Sequence, residues 1–338
     1  MGQQLVLLHT AIFLYMDGWA GFRNPPDHPD HHGFERRISI RAWRISISSI
    51  SYYQIMRCYI VMASSQTSGH VSGTTSKQTL DSTSDGKSID SLQGPFNAVL
   101  FDLDGTLLDT TQAIYESLKH TMRHFTGKTP EDEELHPYMG LPVQEQFSLL
   151  LPGQEIQACK VYETHNLSIH KDYVKPYPGA VDVLQALKTY GTKIALVTSK
   201  KRKTAVVGLE IAGIRHLFDA TVFCDDLPEH KPHPAPVLKA LELLGYIQTA
   251  ANPDPAFRFR ALTVGDSPWD IASAKNALSF LIDAANAAKP SGPRLGVPVI
   301  ETAGVTYGAF PKEAIEAQNP DYILDSISQV LTLCGLDT

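Results

Sequence analysis

Short apolar runs alternate with amphipathic stretches from residue 96 onward. Residues 96–103 are apolar except for Asn97 and Asp102, and Pro95 and Gly105 bound them. Such a run predicts a strand buried on both faces of a parallel sheet. Residues 194–197 and 261–264 repeat the signature, and residues 220–223 carry a weaker form. Residues 305–307 and 322–324 predict edge strands. Helical periodicity separates these runs at 181–190, 204–212 and 235–244. The alternation predicts an α/β fold with helices on both faces of a parallel sheet.

One segment breaks the alternation. Between the first strand and Pro178-Gly179 lie about seventy residues with helical periodicity, at 113–124, 143–151 and 156–174, and no strand. The pattern predicts a core formed by 96–110 and 178–338, carrying an all-helical insert over 111–177. Two further stretches, 248–260 and 279–302, read as insertions within the core.

The chain before residue 96 has another character. Residues 5–16 are apolar but follow no basic residue, which makes a poor secretory signal. An Arg- and Ser-rich stretch then resembles a transit peptide in composition. Met62-Ala63-Ser64-Ser65 is a plausible start of its own. Residues 1–61 are expected to be a poorly ordered extension or to precede the natural start. Residues 62–95, rich in Ser, Thr, Gly and Asp, are expected to be a flexible linker.

Composition narrows the partners. Of 338 residues, 43% are hydrophobic and 19% charged, as in ordinary globular chains. The net charge of −7 argues against a nucleic-acid partner. No apolar run reaches the ~18 residues of a membrane span. The four cysteines, Cys58, Cys159, Cys224 and Cys334, are far apart, so a reducing compartment is expected. That places the protein in the cytoplasm, with organelle targeting through the extension as the alternative.

Candidate chemistry concentrates in Phe101-Asp102-Leu103-Asp104-Gly105-Thr106. Side chains two apart on a strand share a face, so Asp102 and Asp104 are expected together at the strand's C-terminal end. Open α/β sheets bind ligands there. Two close carboxylates repel, and a hard divalent cation such as magnesium relieves that repulsion. Three more segments follow at strand ends: Val197-Thr198-Ser199-Lys200, His230-Lys231-Pro232-His233-Pro234, and Val264-Gly265-Asp266-Ser267-Pro268-Trp269-Asp270.

With these four in order, the chain from residue 96 resembles the haloacid dehalogenase superfamily, in particular its small phosphatases with a helical cap. The resemblance implies a Rossmann-like, doubly wound core with an inserted cap. It implies that Asp102 attacks phosphorus and that Asp104 serves as acid and then base, an acid the dehalogenase branch lacks. Thr198 and Ser199 would contact the phosphoryl oxygens, and Lys231 would place a positive charge on them. Asp102, Asp104 and Asp266 would hold Mg2+, and Asp270 would orient the ion's water or Lys231 from behind.

The implied partner is a small phosphorylated metabolite. The stretches Tyr162-Glu163-Thr164-His165-Asn166 and Thr198 to Thr204 resemble phosphoglycolate phosphatases and related bacterial pyrophosphatases. Gly140-Leu141-Pro142 matches the family's cap loop loosely. Lys200, Lys201 and Arg202 could meet a second anionic group or form a solvated helix start. Asp225 and Asp226 read as plain loop acids. The expected activity is hydrolysis of a phosphomonoester such as phosphoglycolate. Inorganic pyrophosphatase, sugar-phosphate phosphomutase and a non-catalytic binding protein are the alternatives.

Overall fold

A computed structural model describes residues 95–248, 259–287 and 298–336. The expectations for residues 1–61 and 62–95 lie outside the described residues, Pro95 excepted. The strands are β1 (Ala98–Phe101), β2 (Leu108–Asp109), β3 (Lys175–Pro176), β4 (Lys193–Val197), β5 (Ala220–Val222), β6 (Arg260–Gly265), β7 (Val299–Val305) and β8 (Tyr322–Leu324). The helices are α1 (Thr111–Thr126), α2 (Asp132–Leu135), α3 (Val143–Leu150), α4 (Glu155–Tyr173), α5 (Ala180–Thr189), α6 (Arg202–Ile211), α7 (Ala235–Leu243), α8 (Pro268–Ala287), α9 (Lys312–Glu316) and α10 (Gln329–Leu333).

Six strands form one parallel sheet in the order β5-β4-β1-β6-β7-β8. Alternation along each strand sorts its side chains to two faces. Val99, Phe101, Ile194, Leu196, Leu262 and Val264 pack on one side with Val183, Leu187 and Leu209 from α5 and α6. Ala98, Leu100, Ala195, Val197 and Ala261 pack on the other with Leu238, Leu241 and Ala274 from α7 and α8. Both faces are therefore covered, which explains why these strands read as continuous apolar runs. The chain winds from β1 through β4 to β5, then returns to β6 on the far side of β1. That reversal opens a crevice at the C-terminal ends of β4, β1 and β6.

Helices α1 to α4 form the insert and have their own core of Tyr115, Leu118, Phe147, Ala158 and Tyr162. The insert is not free of strand. β3, at its C-terminal end, pairs antiparallel with β2, which directly precedes the insert, with Leu108 opposite Pro176 and Asp109 opposite Lys175. Two-residue strands are too short to show a period in the sequence.

The strand expected at the edge over residues 305–307 begins earlier, at Val299, and lies inside the sheet between β6 and β8. Glu301 and Thr302 interrupt its apolar character. Both are satisfied locally: Glu301 pairs with Arg260 at 2.6 Å and accepts from Tyr322 at 2.7 Å, and Thr302 donates to Asp321 at 2.7 Å. Much of the expected insertion over 279–302 is regular structure, since α8 runs to Ala287 and β7 starts at Val299. Among the described residues, no helix is long and apolar enough to cross a membrane.

Candidate active site

Asp102, Thr198 and Asp266 are each the first residue beyond a strand: β1, β4 and β6 respectively. Phe101 is in register with Leu196 and Val264, so these strands deliver their next residues to one rim of the sheet. Lys231 reaches the rim from the turn before α7, and Asp270 from the first turn of α8. All five side chains are buried.

The Lys231 ammonium lies between two carboxylates. It donates to Asp102 Oδ1 at 2.7 Å and to Asp270 Oδ1 at 2.5 Å. The second oxygen of Asp270 accepts from the Ser267 amide at 3.1 Å and the Ser267 hydroxyl at 2.6 Å. Both Asp270 oxygens are thus engaged, and this acid fixes the lysine. Asp266 Oδ2 accepts from the Ala309 amide at 2.8 Å. Glycine is required around Asp266. A Cβ on Gly105, whose φ is +83°, would lie 2.1 Å from Asp266 Oδ2, and one on Gly308 would lie 2.2 Å from Asp266 Cβ.

Carboxylate oxygens of Asp102, Asp266 and Asp270 lie within 4.8 Å of one another. Burial pushes the Asp102 carboxyl up to about 7; Lys231 counteracts this, and the charges of Asp270 and Asp104 add to it. Burial also holds Asp266 well above the usual carboxylate range, reinforced by Asp102 and Asp270. Burial disfavours the Lys231 charge, but the two acids outweigh it and raise its pKa. Five carboxylates line the cleft (Asp102, Asp104, Glu163, Asp266, Asp270) against three lysines (Lys200, Lys201, Lys231). Counted with all eight groups ionised, the excess is two negative charges. Hard, anionic oxygen donors in that excess fit one divalent cation of the magnesium type.

The sequence grouped Asp104 with Asp102 and Asp266. In the structure, the third clustered carboxylate is Asp270, and the Asp104 carboxylate is held by Lys200 at 2.9 and 3.0 Å. The rule that residues i and i+2 share a face does not extend this far, because β1 ends at Phe101. Asp104 already lies in the turn, bridged to Leu108.

Thr198 accepts from the Lys200 amide at 3.1 Å, which leaves its hydroxyl proton available to a ligand. Ser199 lines the same cleft. The basic run is distributed: Lys200 to Asp104, Lys201 to Glu163 of α4 at 2.6 Å, and Arg202 to Asp226 at 2.5 Å. Asp225 accepts from the Arg202 amide at 2.9 Å, so both loop acids serve the start of α6.

The sequence profile of the haloacid dehalogenase-like hydrolases matches residues 99–282. The chain belongs to this family. It is 32% identical over 237 residues to the pyrophosphatase PpaX of Bacillus mycoides, covering 70% of this chain and 96% of that protein. It is 32% identical over 246 residues to the pyrophosphatase PpaX of Bacillus pumilus, covering 72% and 99%. Among solved structures it is similar to a predicted phosphoglycolate phosphatase from Haemophilus somnus, with a TM-score of 0.53, 24% identity, and coverage of 70% and 97%. Within the haloacid dehalogenase-like hydrolases the chain is a phosphatase, and the described fold is that family's parallel core with a helical cap.

Several residues around the site were not singled out from the sequence: Ala309 and Gly308 beside Asp266, and Gln146 and Thr110 in the cleft wall. They come from remote segments, and no local spacing connects them. The one available signal was the Tyr-Gly-Ala turn directly after β7, at the same sheet rim.

Proposed function

We propose that this phosphatase hydrolyses a small phosphomonoester, of about the size of phosphoglycolate, in a magnesium-dependent reaction with Asp102 as nucleophile. The observation that carries the proposal is Asp102 itself: a buried carboxylate at the tip of the central strand, 2.7 Å from a lysine and clustered with two further acids.

Asp102 and Asp266 would hold the ion, since each keeps oxygen lone pairs that the protein does not use. The Asp104 carboxylate, held by Lys200 outside the cluster, would be kept for proton transfer. When bound, magnesium supplies positive charge to the phosphoryl oxygens and to the acids around them. The protein does the rest. Lys231 and the Thr198 hydroxyl, with Ser199 beside it, orient the phosphoryl group and stabilise its developing charge. Asp102 attacks phosphorus in line, so that the P–O bond to the leaving group breaks as the bond to the carboxylate forms. Asp104 gives the leaving oxygen a proton and later takes one from the water that attacks the phosphoaspartate. Asp270 keeps Lys231 in place. The helical insert excludes bulk water from the first step.

The relatives' names favour a second reading, pyrophosphate as substrate. A panel of phosphoglycolate, pyrophosphate and a hexose 1-phosphate, assayed with magnesium and with a chelator, separates these activities and a phosphomutase. Asp102→Asn is expected to lower phosphate release by at least ~10³-fold while the fold stays intact. Release by Asp102→Asn at the wild-type rate would remove the proposal.

A further inference from the structure

Three neighbours in the turn after β7 reach in two directions. Gly308 lies against Asp266, where a Cβ on it would sit 2.2 Å from Asp266 Cβ. The Ala309 amide donates to Asp266 Oδ2 at 2.8 Å. Phe310 instead packs, half-buried, against the core of the helical insert. Its ring lies 5.9 Å, centroid to centroid, from the ring of His136, which directly follows α2.

Asp266 has little freedom to move apart from this turn. Gly105 packs against it as well, and a Cβ there would lie 2.1 Å from Asp266 Oδ2. The Tyr307 hydroxyl donates to the Thr106 carbonyl at 2.9 Å, which ties the turn to the segment that carries Gly105. Groups packed this closely transmit displacement to one another.

The insert meets the turn through the loop ahead of α3. Gly140 has φ +78°, and a Cβ on it would lie 3.1 Å from Trp269 Cδ1 and 3.3 Å from the Phe310 ring. The loop therefore rests on two aromatic residues of the core. Phe310 follows the residue whose amide holds Asp266, and Trp269 precedes Asp270, which holds Lys231. One stretch of three residues thus both seats the insert and places the Asp266 carboxylate.

We infer that Phe310, with the Ala309 amide, positions Asp266 and couples the seating of the insert to the cation site. A seated loop holds Asp266 ready for the ion, and an ion on Asp266 holds the loop down. The inference rests on the magnesium-dependent phosphatase reading above and adds to it how the insert and the metal site communicate. Such a coupling is reciprocal: the factor by which the seated loop raises cation affinity is the factor by which the cation favours seating.

Manganese serves as the probe in the substrate-free full chain, because it takes the same oxygen donors as magnesium and its binding is read by electron paramagnetic resonance. Phe310→Ala removes the seat without touching Asp266. Gly140→Ala acts from the insert, pushing the loop off the same ring, and keeps a test available if Phe310→Ala does not fold. Each is expected to raise the manganese Kd by at least about fivefold, the lower end of typical couplings. Hydrogen exchange gives the reciprocal readout. Manganese is expected to slow exchange of the amides within 136–142 by at least about fivefold in wild type and by less than about twofold in the variants.

A manganese Kd within about twofold of wild type in Phe310→Ala, or in Gly140→Ala where that alone folds, would overturn the coupling. So would exchange at 136–142 that does not respond to manganese in wild type. Mere loosening of the insert would speed that exchange and leave the Kd as it was, which counts against the coupling. Each of these results leaves the phosphatase reading standing. Asp266→Asn is the control: if wild type binds manganese no better than this variant, the metal site fails and the coupling fails with it.

Discussion

Replacing Lys231 with methionine tests the charge balance of the site. The side chain is similar in length and apolar, so the change removes the ammonium with little change in volume. It strands Asp102 and Asp270, which the ammonium touches at 2.7 and 2.5 Å, and takes the cleft's excess from two negative charges to three. Removing one partner of a buried ion pair destabilises by about 3–5 kcal/mol. Asp102 can avoid part of this by taking a proton.

Its native pKa, about 7, already lies above the unfolded value near 3.9. The stability linked to that proton is complete below about pH 4 and is lost as the pH rises through about 7. Without Lys231 the native pKa rises further. At pH 5 the Asp102 carboxyl is protonated in both proteins, and the variant's deficit is expected to be about 3–5 kcal/mol, from the stranded Asp270. At pH 8 the deficit is expected to be larger by up to about 1.4 kcal/mol, the linkage of one proton over the one pH unit above 7. Urea denaturation in chelator at the two pH values measures both. Activity with magnesium is expected to fall by about 10²–10³-fold, the effect of losing one preorganised charge donor. A deficit that is the same at both pH values, or activity within tenfold of wild type, would refute the reasoning.

Gly105→Ala puts a methyl group where Asp266 Oδ2 lies and holds alanine at φ +83°. The backbone alone costs about 1–2 kcal/mol. Displacement of Asp266 is expected to raise the magnesium concentration needed for half-maximal activity, and an unchanged magnesium titration would argue against Asp266 as a ligand. Asp219, away from the site, bonds Lys188 at 2.8 Å and the Ile194 amide at 2.9 Å. Burial works to raise its pKa, but these bonds, with the charges of Lys188 and Lys193, lower it overall. Asp219→Asn is therefore expected to cost about 1 kcal/mol above pH 4, and the difference should vanish as the pH falls through the depressed native pKa. A difference that persists in acid would contradict that assignment.

Legibility from sequence followed the range of the forces involved. β1, β4 and β6 were visible because both their faces are buried, so local composition records the tertiary environment. β7 was misplaced because Glu301 and Thr302 find partners on β6, β8 and Asp321, and those pairings leave no mark on the neighbouring residues. Asp102, Thr198 and Asp266 were legible because each follows an apolar run directly, which makes a strand end a position in the sequence. Asp104 was placed with them by extending the strand's period beyond its true end at Phe101. The Lys200–Asp104 pair joins residues 96 apart, and no spacing rule connects them.

The most direct test of the central claim is to trap the covalent step. The enzyme is turned over with a small phosphate ester and magnesium, quenched in acid within milliseconds, digested and analysed by mass spectrometry. One phosphoryl group is expected on the peptide containing Asp102, present with magnesium and absent with chelator. Steady phosphate release with no phosphoryl group on Asp102, or with the label on another residue, would contradict the account.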